Sequence, residues 1–373
     1  MSQSQSKSQP RAKQPAAEPR PSASIILISP TNQILLLHRV KTSTSFASAH
    51  VFPGGNLDAL HDGPVAPPTE GALRHADGPA YRIAALRECF EESGILLAKG
   101  REDGKLVSVG EGVRDEGRRK VHSGEVKFRD WVEGVGGVPD VDGLIPFTRW
   151  ITPPPSPKRF TTQMYLYFLP PNPESTPSSS SSPSSQETAI TIPTDTSPII
   201  VPTPDGGIEH TSATFATPST WLSLHHARKI SMFPPQYFLL TLLSRFFPRA
   251  AEAGTPSRSV VDRERRDLLE FIGRVPATFG GERELGHPTS AIPWAEKIIS
   301  PRVLKARGDG YLVLGLDRTG AEVEAIGDGK VRGGVADAVV VVNLKAKGGP
   351  WNLGVFGKDE AMKEENLVKG GKL

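Results

Sequence analysis

Apolar positions recur along the chain with two periods, and the switches between them outline the elements. Ala23 to Ser29 (Ala-Ser-Ile-Ile-Leu-Ile-Ser) is a short continuous apolar run that predicts a buried strand. Pro30-Thr31-Asn32 supplies a turn, and Ile34 to Arg39 the paired strand of a hairpin. From Ala84 to Leu97 the period lengthens to that of a helix. At about 100° per residue, Glu88, Glu91 and Glu92 fall on one side and Ile83, Leu86, Cys89 and Phe90 on roughly the opposite one, which predicts an amphipathic helix. Gly94 stands where a helix end favours a left-handed residue, and Ile95-Leu96-Leu97 suit a buried continuation.

The same patterning carries on downstream. Val126 to Glu133 predicts a short amphipathic helix, Lys158 to Leu169 a strand entered through two cations, and Ile208 to Pro218 a strand leading into a helix with Trp221 and Leu222. Pro234 to Phe247 opens with proline and runs apolar at helical spacing, which fits a core-packing helix or a wall of a ligand pocket. Asp262 to Gly273 reads as helix, Tyr311 to Ile326 as a hairpin around Asp317-Arg318-Thr319-Gly320, and Ala338 to Leu344 as a further strand. His225 and His226, adjacent on a helix, point apart and are expected at the surface.

Composition alters this outline in a few places. The 37 Gly and 35 Pro among 373 residues predict long loops. Gly100 to Gly124, charged and glycine-rich, is expected to be one of them. Pro170 to Gly207, with five consecutive serines from Ser178, holds too little apolar surface to order itself and predicts a disordered insertion. The polar first residues to about position 22 predict a disordered tail, and residues 248–373 a helical and β extension. A net charge of +3 without a polybasic block gives no strong signal for nucleic acid. No apolar stretch approaches the roughly 20 residues of a membrane span, and a single cysteine, Cys89, excludes an intrachain disulfide and favours an intracellular setting.

The candidate chemistry lies in the acidic helix. Three carboxylates within one turn repel one another, and a divalent cation reverses that sign. Upstream, Phe52-Pro53-Gly54-Gly55 precedes Asn56-Leu57-Asp58. This strand, Gly-Gly turn and Arg87-Glu88-Cys89-Phe90-Glu91-Glu92-Ser93-Gly94-Ile95 helix resemble the Nudix hydrolases. Their box reads Gly-x5-Glu-x7-Arg-Glu-U-x-Glu-Glu-x-Gly-U with U apolar, and the second half is matched without a gap. The first half departs from it. Counted from Gly55, the family spacing puts the arginine at position 69, yet it stands at 87, an insertion of 18 residues. His61 occupies the place of the first Glu, which is absent or displaced to Glu70.

The insertion, the string Val51 to Asp58 and the pairs Trp150-Ile151-Thr152-Pro153 and Arg159-Phe160-Thr161-Thr162 resemble the Nudix motif 19 type in particular, the acyl-coenzyme A diphosphatases of peroxisomes and mitochondria. Of the longer leader found in coenzyme A-specific members, Leu35, Leu36, Arg39 and Phe52 to Gly55 match, whereas Leu37, Val40, Thr44 and Ser48 do not. The closing Gly371-Lys372-Leu373 is similar to the peroxisomal Ser-Lys-Leu address.

The resemblance implies an α+β fold, a Nudix α/β/α sandwich with a mixed sheet. The domain would span residues 23–247, with insertions at about 59–79 and 170–207. It further implies Mg²⁺ or Mn²⁺ bound by Glu88, Glu91, Glu92, the Gly55 carbonyl and an acid such as Glu209, with Arg87 holding Glu91. The base would be Glu92, Glu209 or another acid. Arg39, Arg159 and Gly54 would meet a small nucleotide diphosphate of the coenzyme A type. For Arg159 a place on a strand edge is the alternative, as an ordinary edge Glu is for Glu209. Hydrolysis of NADH or a capped RNA end, or a catalytically silent binding module, are the competing functions.

Overall fold

The computed structural model describes residues 16–39, 48–154, 156–170, 210–248, 254–279, 286–344 and 350–363. β1 (Arg20–Ile28) is the axis of the architecture. Ile25 and Leu27 join one hydrophobic cluster, Ile26 and Ile28 another, and all four are fully buried. A strand covered on both faces has no polar alternate positions, which is why the apolar run is continuous. β2 (Ile34–Arg39) follows antiparallel, with Ile28 opposite Ile34. β3 (His50–Val51) pairs with β2 and β4 (Gly54–Asn56) with β1, placing Gly54 opposite Ser24 and Gly55 opposite Ala23.

A short α1 (Gly71–Arg74) leads to α2 (Pro79–Ser93). β5 (Ala98–Gly100), α3 (Glu111–His122), α4 (Phe128–Gly134) and β6 (Gly137–Pro139) form an excursion closed by β5 and β6 pairing antiparallel. β7 (Ile145–Ile151) and β8 (Phe160–Phe168) return to the main sheet, where β8 runs parallel to β1 from Arg20↔Phe160 to Ile28↔Phe168. β9 (His210–Ala216) adds to β2, then α5 (Pro218–His226), α6 (Pro234–Leu243) and α7 (Arg258–Gly273) follow. β10 (Ile298–Ile299) joins β7 in parallel. β11 (Arg302–Ala306), β12 (Leu312–Leu316), α8 (Ala321–Glu324), β13 (Val335–Asn343), β14 (Trp351–Gly357) and α9 (Lys358–Lys363) complete the described chain, β11 to β14 making a second, antiparallel sheet.

The main sheet is mixed, in the order β10-β7-β8-β1-β2-β3 with β4 on β1 and β9 on β2. α2 packs on one face, where Ile83, Leu86 and Phe90 meet Ile25, Leu27 and Tyr165. α5 and α6 pack on the other, where Trp221, Phe238 and Leu242 meet Ile26, Phe147 and Leu166. The result is an α/β/α arrangement in the α+β class. Residues beyond position 247 enter that second core: Leu268, Trp294, Ile299, Leu314 and Val340 are buried in the same cluster as Ile26. The C-terminal region therefore shares the hydrophobic core of the main sheet. Among the described residues no helix is long and apolar enough to cross a membrane.

Several expectations change. Gly100 to Gly124 is not all loop, since residues 111–122 form α3. The hairpin expected at 311–326 has only its first strand, because Ala321-Glu322-Val323-Glu324, good helix formers, make one turn of helix after Gly320. α2 has its apolar and carboxylate sides opposed as expected, but the polar side is also largely enclosed, with Arg87 and Glu92 buried. His225 is not at the surface; its ring is fully buried, with Nδ1 3.3 Å from the Ile230 carbonyl and Nε2 accepting from the Leu353 amide at 3.4 Å.

Candidate active site

α2 starts with Pro79 after an extended Gly78 and ends at Gly94 in the left-handed region (φ 72°), whose amide donates to the Phe90 carbonyl at 2.9 Å. Its polar residues face β4 across a very short gap. The Gly54 amide donates to Glu92 Oε2 at 2.8 Å. A Cβ on Gly55 would lie 2.5 Å from the Glu88 carboxyl, so this position accepts only a hydrogen while Glu88 stays where it is. Burial pushes the Glu88 carboxyl up to about 7; Arg87 opposes the shift, and the charges of Glu91 and Asp62 add to it.

Arg87 ties the site together. Its Nε and Nη2 donate to Asp62 Oδ1 and Oδ2 at 2.9 and 3.0 Å, and Nη2 also donates to the Asn56 carbonyl at 3.1 Å. Nη1 donates to Glu88 Oε1 at 2.9 Å and to Glu91 Oε1 at 3.0 Å. Burial works against the guanidinium charge, yet Glu88, Asp62 and Glu91 together hold its pKa above the usual arginine value. Asp62, adjacent to the box position taken by His61, is a residue that sequence reasoning missed. His61 itself is buried and accepts from the Phe128 amide at 3.2 Å, and Glu70 lies exposed on the turn before α1.

α3 supplies a second missed group. Arg118 donates from Nε and Nη2 to the Glu91 carbonyl at 3.0 and 2.7 Å, and His122 Nδ1 lies 3.1 Å from Glu91 Oε2. Glu111, Arg114, Asp115, Arg118, Arg119 and His122 recur at i, i+3, i+4, i+7, i+8 and i+11, and all of them line one cleft. Helical spacing in a glycine-containing charged segment was the signal available in the sequence.

That cleft has a volume of about 1300 Å³. Gly54, Gly55, Arg87, Glu88, Glu91 and Glu92 line it, as does Arg39. Elsewhere its lining is mixed: apolar Trp150, Met164 and Phe233, with Pro234 and Pro235 from the start of α6 and Leu314 from β12, beside polar Thr152, Thr162 and Gln236. α6 thus packs its Phe238, Leu239 and Leu242 into the core and presents its first turn to the cleft. Arg159 takes a different place from the phosphate-facing one considered for it. It is buried, donates to the Thr152 and Ala17 carbonyls at 2.8 Å each, and pairs with Glu322 at 2.5 Å. Glu209 lies outside the described residues. Cys89 sits in the apolar position of the box, buried beside Ser93, and burial raises its thiol to about 12.

Among the described residues no three His, Cys, Asp or Glu side chains are gathered as a ready-made ion cage. The cause is visible in the pairing: Arg87 bridges Glu88 to Glu91, and Glu92 turns to the Gly54 amide. The donor chemistry nonetheless fits a hard divalent cation. Glu88 lies against the bare Cα of Gly55, Glu92 accepts from the Gly54 amide and Glu91 lines the same cleft, so these side chains and the glycine backbone offer oxygen ligands.

A buried helix of the Arg-Glu-x-x-Glu-Glu form facing a Gly-Gly strand on a mixed sheet is the arrangement in which this chain resembles the Nudix proteins. The family model described as NUDT19 Nudix domain matches residues 70–191, and relatives named as Nudix proteins match the chain as well. A putative nudix hydrolase 7 of Caenorhabditis elegans is 29% identical over 227 residues, 61% of this chain and 61% of that protein. Acyl-coenzyme A diphosphatase NUDT19 of Gallus gallus is 28% identical over 261 residues, covering 57% of this chain and 61% of the relative. The chain thus spans about three fifths of the length of these curated relatives. A NUDIX hydrolase structure from Alicyclobacillus acidocaldarius superposes with a TM-score of 0.44 at 20% identity, over 60% of this chain and 90% of that one.

Proposed function

We propose that this chain hydrolyses the diphosphate linkage of coenzyme A or an acyl-coenzyme A, giving 3′,5′-ADP and (acyl-)phosphopantetheine, with Mg²⁺ or Mn²⁺ as the metal. The observation that carries this is the closure of Glu88 and Glu92 onto Gly54-Gly55 at the wall of a large cleft that holds several arginines and a set of apolar side chains. Glu88, Glu91, Glu92 and the Gly55 carbonyl would hold the ion. Once bound, a divalent cation supplies neutralisation of the diphosphate charge and a water of lowered pKa. Arg87 fixes Glu88 and Glu91, and His122 borders the far oxygen of Glu91. Arg114 and Arg119 on α3, with Arg39 on β2, face the same cleft and suit a polyanionic substrate. The lining of Trp150, Met164, Phe233 and Leu314 suits a pantetheine arm and its acyl group. The similarity to a relative named acyl-coenzyme A diphosphatase supports the same choice.

The test offers purified protein and Mn²⁺ acetyl-coenzyme A, NADH and capped RNA, beside a Glu91→Gln variant. Turnover of the coenzyme A ester alone is expected, with a loss on the order of 100-fold or more in the variant. Turnover of NADH or capped RNA in its place redirects the substrate, and binding without turnover identifies a silent module.

A further inference from the structure

The first half of the box is incomplete in this chain, yet Arg87 is fully engaged. A guanidinium has five N–H groups, and Arg87 makes five hydrogen bonds, of which two form a bidentate fork on Asp62. Asp62 is itself almost wholly buried and tightly placed. Its amide donates to the Asp58 carbonyl at 2.8 Å and its Oδ2 accepts from the Asp58 amide at 2.7 Å, so the turn leaving β4 sets the carboxylate. The family spacing puts an acid at position 61, where His61 is turned toward the Phe128 amide. The next residue delivers the carboxylate instead.

We infer that Asp62 is a positioning residue that takes over the charge missing at His61, aiming the Arg87 guanidinium so that only Nη1 reaches Glu88 and Glu91. The inference rests on the reading that those glutamates hold a divalent cation. With Asp62 neutral, the fork loses its charged acceptor, and a guanidinium no longer pinned on that side turns more of its donors toward Glu88 and Glu91. It then competes with the ion for their oxygens. Partners one step removed from a metal contribute roughly 10- to 100-fold in metal affinity or activity. Glu70, the other acid considered for the missing position, is exposed, and none of the five Arg87 hydrogen bonds goes to it.

The experiment is a calorimetric Mn²⁺ titration of the full chain, with kcat and KM on acetyl-coenzyme A measured beside it, for wild type, Asp62→Asn, Arg87→Lys, the double variant and Glu70→Gln. Asp62→Asn is expected to weaken Mn²⁺ binding roughly 10- to 100-fold and to lower kcat with little change in KM. If it acts through Arg87, adding it to Arg87→Lys has no further effect. Glu70→Gln is expected to match wild type. Equal Mn²⁺ affinity in wild type and Asp62→Asn overturns the inference while leaving the proposed function standing, as does full additivity in the double variant or a loss in Glu70→Gln. Absence of Mn²⁺ capture by wild type overturns both. Should Asp62→Asn not fold, Arg87→Lys alone decides: a single ammonium cannot hold three carboxylates in this geometry, so unchanged Mn²⁺ binding there defeats the inference.

Discussion

At Gly55 the identity of one substituent controls the approach of strand to helix. A methyl group would sit 2.5 Å from the Glu88 carboxyl, well inside contact distance, and Glu88 is held on its other side by Arg87. Gly55→Ala should therefore fold, because β4 is only three residues long and Gly55 is partly exposed, but it should displace Glu88 and reduce the proposed diphosphatase activity at least tenfold, on the order of a lost outer contact to a metal ligand if Glu88 holds the ion as proposed. Shortening the partner in Gly55→Ala/Glu88→Asp should recover part of the Mn²⁺ affinity; a Gly55→Ala enzyme as active as wild type would show that Glu88 has no fixed place. These glycines and glutamates were legible in the sequence because their pattern is contiguous. Asp62 was not, since its meaning lies in a contact with Arg87 across 25 positions of chain.

Among elements, α3 was the least legible and touches the site most. Its glycines and dense charge look like loop, but the charge is arranged for a helix: Glu111 opens it, Arg119, Lys120 and His122 close it, and Glu116 pairs with Lys120 at 2.9 Å. Gly117 is the point of closest packing, where a Cβ would fall 2.3 Å from the Trp131 ring of α4. Gly117→Ala gains about 1 kcal/mol of helix propensity, whereas forcing a methyl into a packed contact costs typically 1–3 kcal/mol. The clash is expected to win. Urea unfolding should show net destabilisation, and KM for the nucleotide substrate should rise as Arg114, Arg118 and Arg119 are lifted with the helix; a stabilised variant with unchanged KM would refute this seating of α3. The helix α2 carries its apolar and carboxylate sides opposed as the sequence predicts; what the sequence did not show is that Arg87, β4 and α3 also enclose the carboxylate side.

For the molecule as a whole, the sequence showed strands and helices but not that the chain beyond position 247 would fold into the main core. Its apolar residues are spread over short segments, and only the assembled cluster joins Trp294, Leu314 and Val340 to Ile26. Buried histidines tie distant parts of that assembly. His225 joins α5 to β14 through the Leu353 amide, and His75 joins the inserted segment to Thr161 of β8 at 3.0 Å. Burial, then the neighbouring His226, lowers His225 to about 4; burial, then Arg149, does the same for His75, and burial with His38 for His50. Each imidazole is neutral when folded and takes up a proton near pH 6.5 when unfolded. The unfolded chain thus binds more protons between pH 6.5 and about 4, and stability falls as pH is lowered through that window. Glu88, raised to about 7, works in the opposite direction over much of the same range, so the contribution of one histidine has to be read as a difference between proteins. For the fully buried His225 the loss amounts to roughly 2 kcal/mol between pH 6.5 and pH 5, a large share of a typical net stability of about 5–15 kcal/mol. Denaturant unfolding of wild type and His225→Gln at pH 7 and pH 5 isolates it. The variant is expected to be less stable at pH 7, where its packing and the Leu353 contact are perturbed, but to lose roughly 2 kcal/mol less on acidification; an equal loss in the two proteins would mean that His225 already titrates normally in the folded chain.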